Sequence, residues 1–104
     1  MGTDQRRQEI LAEMAGLWPV LPGSVVERST RCQTLGCHCR ADPPRLHGPY
    51  ATWMRQDRGR QVTRTLSGEQ ADRLRPLVAA DHRLRELVHE LEALALSEVD
   101  DLLG

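Results

Sequence analysis

Three cysteines and a histidine crowd one stretch of the chain, Cys32, Cys37, Cys39 and His47, and Gly48-Pro49-Tyr50 follows at once. Three thiolates and one imidazole are a standard tetrahedral donor set for a structural zinc ion. The spacing is unusual, because the tight pair is C-x-C where familiar fingers use C-x2-C. Residues two apart on an extended strand stand ~6.6 Å apart along it, so Cys37 and Cys39 can share one ion only if the backbone turns between them, and Gly36 allows such a turn. His38 lies between two of the ligands and turns to the same ion with difficulty, which leaves His47 as the fourth. Arg31 and Arg40 flank the cluster and would offset the net negative charge of three thiolates and a neutral imidazole around Zn2+.

Two other readings compete with the metal. Free cysteine often serves as a small buried hydrophobe, but these three sit among Gln33, Thr34, Gly36, His38 and Arg40, with little apolar surface to join. A redox or catalytic thiol would find its pKa lowered by the flanking arginines, yet three cysteines within eight residues exceed what a nucleophile requires. If four protein ligands close the site, no position stays open for water or substrate and the zinc is structural. A zinc enzyme with His47 outside the coordination sphere is the remaining alternative.

The elements that must position this cluster are legible from periodicity. Ile10, Leu11, Met14, Leu17 and Trp18 repeat as one face of a helix, so residues 1–18 are expected to be an N-terminal helix, ended by Pro19, Pro22 and Gly23. Residues 24–66 are expected to form the zinc-binding β region. In it, the β-branched stretch from Ser24 to Arg31 runs as a strand into Cys32, and Cys39 to Pro49 returns as a loop. Tyr50–Gln56 and Gln61–Leu66 form a hairpin around Asp57-Arg58-Gly59-Arg60, with glycine where such a turn requires a positive φ. Tyr50, Thr52 and Met54 share one face of the sheet and Ala51, Trp53 and Arg55 the other, with the core side left open. Ser67 and Gln70 are spaced as a capping box for a C-terminal helix over 67–103, which Pro76 should kink. Leu77, Ala80, Leu84, Leu87, Leu91 and Leu94 fall at heptad a and d positions, widened by Val88 and Ala95 into a stripe broader than a coiled-coil seam. His82 and His89 are seven residues apart, ~10.5 Å along a helix, too far for one metal, and both are expected on the solvated side. The expected fold is therefore α+β: one domain over residues 1–104, with a small antiparallel sheet and a zinc knuckle flanked by the N-terminal helix and the long kinked C-terminal helix.

Composition adds constraints on partners. The chain has 104 residues, two tryptophans, one tyrosine and no phenylalanine, so each buried position yields little area and a metal staple would help. Lysine is absent, which fits the codon usage of a GC-rich genome as well as it fits any function. An odd cysteine count, with no charged-then-apolar leader, argues against a secreted disulfide scaffold and for a reducing cytoplasm. No apolar run approaches the ~20 residues of a membrane helix, and Arg6 stands where a myristoylation signal needs Ser or Thr, so a soluble protein is expected. The formal charge of −1 hides a division. Between Val25 and Thr65, Arg28, Arg31, Arg40, Arg45, Arg55, Arg58, Arg60 and Arg64 face only Glu27, Asp42 and Asp57. From Leu66 onward four arginines face nine acids, so the two halves offer different surfaces to partners.

Cys32, Cys37-x-Cys39, His47-Gly48-Pro49-Tyr50, the arginine-rich hairpin and the closing helix with Leu84 and Leu87 resemble a family of small uncharacterised prokaryotic proteins sharing a C-x4-C-x-C…HGPY core. The resemblance spans roughly residues 24 to 95. Many members have glycine and a basic residue after the first cysteine, where this chain has Gln33 and Thr34. Some of them occur near mobile-element genes. The resemblance implies a zinc site in a compact α+β domain, and no activity.

These features point to a non-enzymatic binding module. No Ser-His-Asp set, carboxylate cluster or phosphate-cradling glycine loop is visible. Nucleic acid, DNA or RNA, is the first expected partner, because a basic two-stranded ribbon can enter a major groove or track phosphates; a merely solvated arginine face is the plain alternative. Tyr50 and Trp53 could stack on bases, but in a chain so short of aromatics they are expected in the core. The second expectation is a protein partner or a homodimer, docked on the helix through Leu77, Leu84, Leu87, Leu91 and Leu94, unless the face from Ile10 to Trp18 covers that stripe.

Overall fold

The computed structural model describes residues 2–30 and 47–104. Its elements are α1 (Gly2–Ala15), β1 (Ser24–Thr30), β2 (His47–Asp57), β3 (Arg60–Leu66), α2 (Gly68–Ser97) and α3 (Val99–Leu103). This is the α+β class expected, a three-stranded antiparallel sheet with an N-terminal helix and a long C-terminal one. Two compact units divide the chain, Pro22–Pro76 as one, and Met1–Leu21 with Leu77–Gly104 as the other. None of the helices among the described residues is long and apolar enough to cross a membrane.

In the sheet unit the strands run in the order β1-β2-β3. Two-residue turns favour a positive φ at both central positions, because that twist matches the twist of the flanking strands. Arg58 at φ 53° and Gly59 at φ 81° supply it, and Asp57 pairs with Arg60 on either side. The turn thereby fixes the register of every later pair: Arg55 with Val62, Trp53 with Arg64, and Ala51 with Leu66. On the other edge Val25 lies opposite Trp53 and Glu27 opposite Ala51. One face thus carries Val25, Ala51, Trp53 and Leu66, and it is this face that packs with Ala71 and Leu74 of α2 into the core of the unit. The Trp53 indole N–H donates to the Pro22 carbonyl at 2.9 Å, satisfying the polar edge of a ring that otherwise packs in apolar surroundings. Ser67 caps α2 as its spacing predicts: the Gln70 amide donates to Ser67 Oγ at 3.1 Å, and the Ser67 amide donates to Gln70 Oε1 at 3.0 Å.

In the helical unit α1 runs antiparallel to the later part of α2. Arg6 donates to Glu90 Oε2 at 2.6 and 2.9 Å, Arg83 donates to Glu13 Oε1 at 2.8 Å, and the Leu21 amide donates to the Leu77 carbonyl at 3.1 Å. Partners on α2 fall in number as those on the N-terminal segment rise. Ile10 and Leu87 are completely buried and lie in sequence between the two ion pairs.

The structure departs from the sequence reading at both helix ends and along the stripe. Helix α1 stops at Ala15, three residues early, and Trp18 is 85% exposed. Gly16 and Leu17 close the end with i to i+3 bonds to Glu13 and Met14, and Trp18 precedes Pro19, a position that disfavours helical backbone; their bond is cis. Toward the C-terminus α2 ends at Ser97, whose hydroxyl donates to the Leu94 carbonyl at 2.6 Å, and a separate α3 follows. Such local bonds from serine compete with helix continuation. Along α2, Val78 and Asp81 are buried, while Leu77 and Ala80, given to the core by heptad counting, are only half-buried. One stripe serves two cores: Ala71 and Leu74 belong to the sheet, residues from Leu77 onward to the helical unit. Pro76 lies within α2 at that division.

Gly23 enters β1 at φ 99°, and a Cβ there would stand 2.1 Å from the Met54 carbonyl oxygen and 2.9 Å from Arg55 Cβ. Gly23→Ala is expected to cost about 2 kcal/mol or more, from left-handed strain and backbone overlap together. Gly68→Ala, with nothing within 4 Å of the new atom, should change stability by less than about 0.5 kcal/mol; urea unfolding of both variants measures the contrast.

The hydrogen bond from Arg83 holds the Glu13 carboxyl below its ordinary pKa, and the same bond raises the Arg83 guanidinium. A depressed carboxylate contributes stability that is present above its unfolded pKa and lost as pH falls through the folded value. Acidification from neutral pH to below the ordinary carboxylate range should therefore lower the melting temperature, and Glu13→Gln should flatten that part of the profile.

Candidate functional site

The strand leading to the cysteine cluster and the strand leaving it are neighbours in the sheet. Thr30, the last residue of β1, pairs with His47, the first of β2, after a shift in register following Arg28. Residues 31–46 therefore span two chain ends held side by side, and Cys32 follows Thr30 by two positions in sequence. Cys32, Cys37, Cys39, Arg31, Arg40 and Arg45 lie outside the described residues. Among the described residues no group of three or more His, Cys, Asp or Glu side chains is arranged to hold a metal ion.

The described arginines fall into two chemical classes. Arg6, Arg7, Arg75, Arg83 and Arg85 each meet a carboxylate, of Glu90, Asp4, Glu27, Glu13 and Asp81 respectively. Arg28, Arg55, Arg58, Arg60 and Arg64 meet none among the described residues. Arg73 on α2 is also without one. The register distributes the strand arginines: Arg55, Arg60 and Arg64 share the face of Trp53, and Arg28 lies on the opposite face. The Arg55 guanidinium sits over the Trp53 ring at 5.5 Å from its centroid, an attraction that orders the side chain and leaves its charge uncompensated. Arg58 occupies the tip of the turn with a positive φ, where Asn or Gly would be less strained.

The face turned away from α2 has its own character. Arg28 lies opposite Tyr50, Thr52 lies between Val26 and Thr65, and Met54 lies between Ser24 and Thr63. Several of these residues line an open hollow of about 540 Å3. The acids of the three strands, Glu27 and Asp57, both fall on the other face by register, so among the described residues this surface is polar, hydroxyl-rich and free of negative charge. Tyr50 is 44% exposed here and is not part of the core expected for it. Trp53, in contrast, packs against the core of the sheet unit.

Of the helix residues considered as an interaction surface, Leu87 is fully buried and Leu77, Leu84, Leu91 and Leu94 are half-buried. Val88, expected to widen the stripe, is exposed, and the most exposed large apolar side chains of this part of the chain stand further along, at Leu96, Leu102 and Leu103. Asp81 escaped the sequence reading: it is 6% exposed and accepts from Arg85 Nε at 2.9 Å. Its i, i+4 spacing to Arg85 was the available signal. His82 and His89 are both exposed, as expected.

Fold and site define a small α+β module with a basic hairpin and one open sheet face. The chain belongs to the family of the Domain of unknown function (DUF6788), whose model matches residues 2–76. This agrees with the resemblance to a small uncharacterised family, while starting at α1 and ending at Pro76. Neither the curated proteins nor the solved structures gave a match.

Proposed function

We propose that the chain is a small zinc-stabilised, non-enzymatic module that binds nucleic acid through its arginine-rich hairpin. The charge of Arg55, Arg58, Arg60 and Arg64, which meets no carboxylate among the described residues, carries this reading, because most of the described arginines outside the sheet are spent on carboxylates. Placing Arg58 at a turn position better suited to Asn or Gly supports a role for its charge. Cys32, Cys37, Cys39 and His47 would hold the ion. The pairing of Thr30 with His47 supports this, since it sets His47 beside the strand that runs into Cys32. A role in assembly through the C-terminal helix is the second reading, favoured by the exposure of Leu96, Leu102 and Leu103.

Binding of labelled DNA and RNA followed from about 50 to 200 mM salt should show a steep linear fall of log affinity with log salt, as released counterions require. Replacing Arg58, Arg60 and Arg64 together by Gln should weaken binding and reduce the slope by roughly 2–3, with the melting temperature unchanged. Absence of binding to either polymer at low salt would sink the reading.

Purified protein should carry about one zinc per chain, and a chelator should lower the melting temperature, because the energy of a structural site is folding energy. His47→Ala should lose metal and stability together; a metal-free protein with an unchanged melt contradicts the zinc part alone.

A further inference from the structure

We infer that the open face of the sheet, opposite the face of Arg55, Arg60 and Arg64, is a platform for single-stranded nucleic acid, with Tyr50 as the stacking residue and Arg28 as its phosphate partner; this rests on the nucleic-acid reading above and adds a second contact surface to the hairpin. The face has the shape of a receptor. Three strands spaced ~4.8 Å apart give a floor roughly 10 Å across, wide enough for one extended strand of bases. Groove readers protrude, as a helix or a two-stranded ribbon does, whereas this surface is a hollow of about 540 Å3.

Its chemistry fits the same occupant. Tyr50 presents an aromatic ring that is 44% exposed, and sequence-tolerant stacking needs such a ring. Arg28 lies directly across the strand pair from it, in no ion pair among the described residues. Base stacking and backbone neutralisation are thus available one cross-strand pair apart. Thr52, Thr63, Thr65 and Gln61 line the hollow with donors and acceptors for base edges and sugars, beside the apolar Met54. The register sends Glu27 and Asp57 to the opposite face, so no acid of the three strands repels a phosphate here. Arg58 at the tip of the β2–β3 turn would extend the phosphate track beyond the hollow.

The test uses the full chain with fluorescein-labelled oligothymidylate and oligouridylate of about 12 nucleotides, within the ~4–16 nucleotides typical of such sites, and a duplex of the same length. Anisotropy should report tighter binding to the single strands than to the duplex. Tyr50→Ala should weaken single-strand binding by ~10-fold or more, and Tyr50→Phe should restore it, since the ring stacks and the hydroxyl does not. Thr63→Glu, an exposed position on the edge strand, should weaken binding by a similar factor. It serves as the second variant if Tyr50→Ala lowers the melting temperature. Duplex binding as tight as single-strand binding, or unchanged affinity in both Tyr50→Ala and Thr63→Glu, would overturn this inference. If the hairpin arginine variant still loses affinity in that case, the proposed function survives without it. No binding of any oligonucleotide overturns both.

Discussion

The indole N–H of Trp53 reaches the Pro22 carbonyl while the following residue, Gly23, passes the Met54 carbonyl so closely that no side chain could stand there. These contacts fasten the linker to the middle strand at the point where β1 begins. Trp53 also lies across from Val25 on one side and Arg64 on the other, and it packs against the Ala51, Leu66 and Ala71 cluster. In a unit with so little aromatic surface, one ring joins all three strands to the helix that covers them. Everything proposed for the sheet surface depends on this side being the inner one. Once Trp53 and Ala51 face α2, the period of two along a strand obliges Tyr50, Thr52 and Met54 to face away.

The same constraint sorts the charges. Glu27 falls on the inner face, where Arg75 of α2 meets it at 3.0 Å. Asp57 falls on that face too, at the turn. The outer face is left with Arg28 and neutral side chains. In the helical unit, by contrast, acids and arginines meet across the two helices. Exposed pairs of this kind contribute little to stability, but Arg6 with Glu90 and Glu13 with Arg83 hold the two helices together on either side of Ile10 and Leu87. Arginine thus has two different uses in one short chain, joining the two helices and, on the hairpin, carrying charge that meets no carboxylate among the described residues.

Much of this was legible beforehand. The turn was readable from Gly59, the capping box from Ser67 and Gln70, and the class from alternating and helical periods in succession. The inner face of the sheet was readable in principle as well. On β3 the apolar Val62 and Leu66 alternate with Thr63 and Thr65, and a two-residue turn carries that parity directly onto β2, placing Ala51 and Trp53 inside. Reading β2 alone leaves the matter open, since Tyr50 and Met54 look as suitable for a core as Trp53. The buried Asp81 and the early end of α1 were harder. Ala71, Leu74, Val78 and Asp81 follow one another at i, i+3, i+7 and i+10, one helical stripe, and a heptad count keyed to Leu84 and Leu87 passes over its last two members. The α1 pattern continues through Leu17 and Trp18, and only local backbone effects at Gly16 and Pro19 stop the helix first.

The family match bears on where a shared function would reside. It covers residues 2–76, so α1 is included while its partners Arg83 and Glu90, and the buried Leu87, lie beyond it. In this chain the helical unit cannot be completed from the matched region alone. The sheet unit can: Pro22–Pro76 falls wholly inside it, together with the cysteines, His47, the hairpin arginines and the open face. A property common to the family is therefore most economically sought on the sheet and in the stretch between Thr30 and His47. The later part of α2 supplies this chain with a second core and with the acidic, leucine-bearing surface at its end.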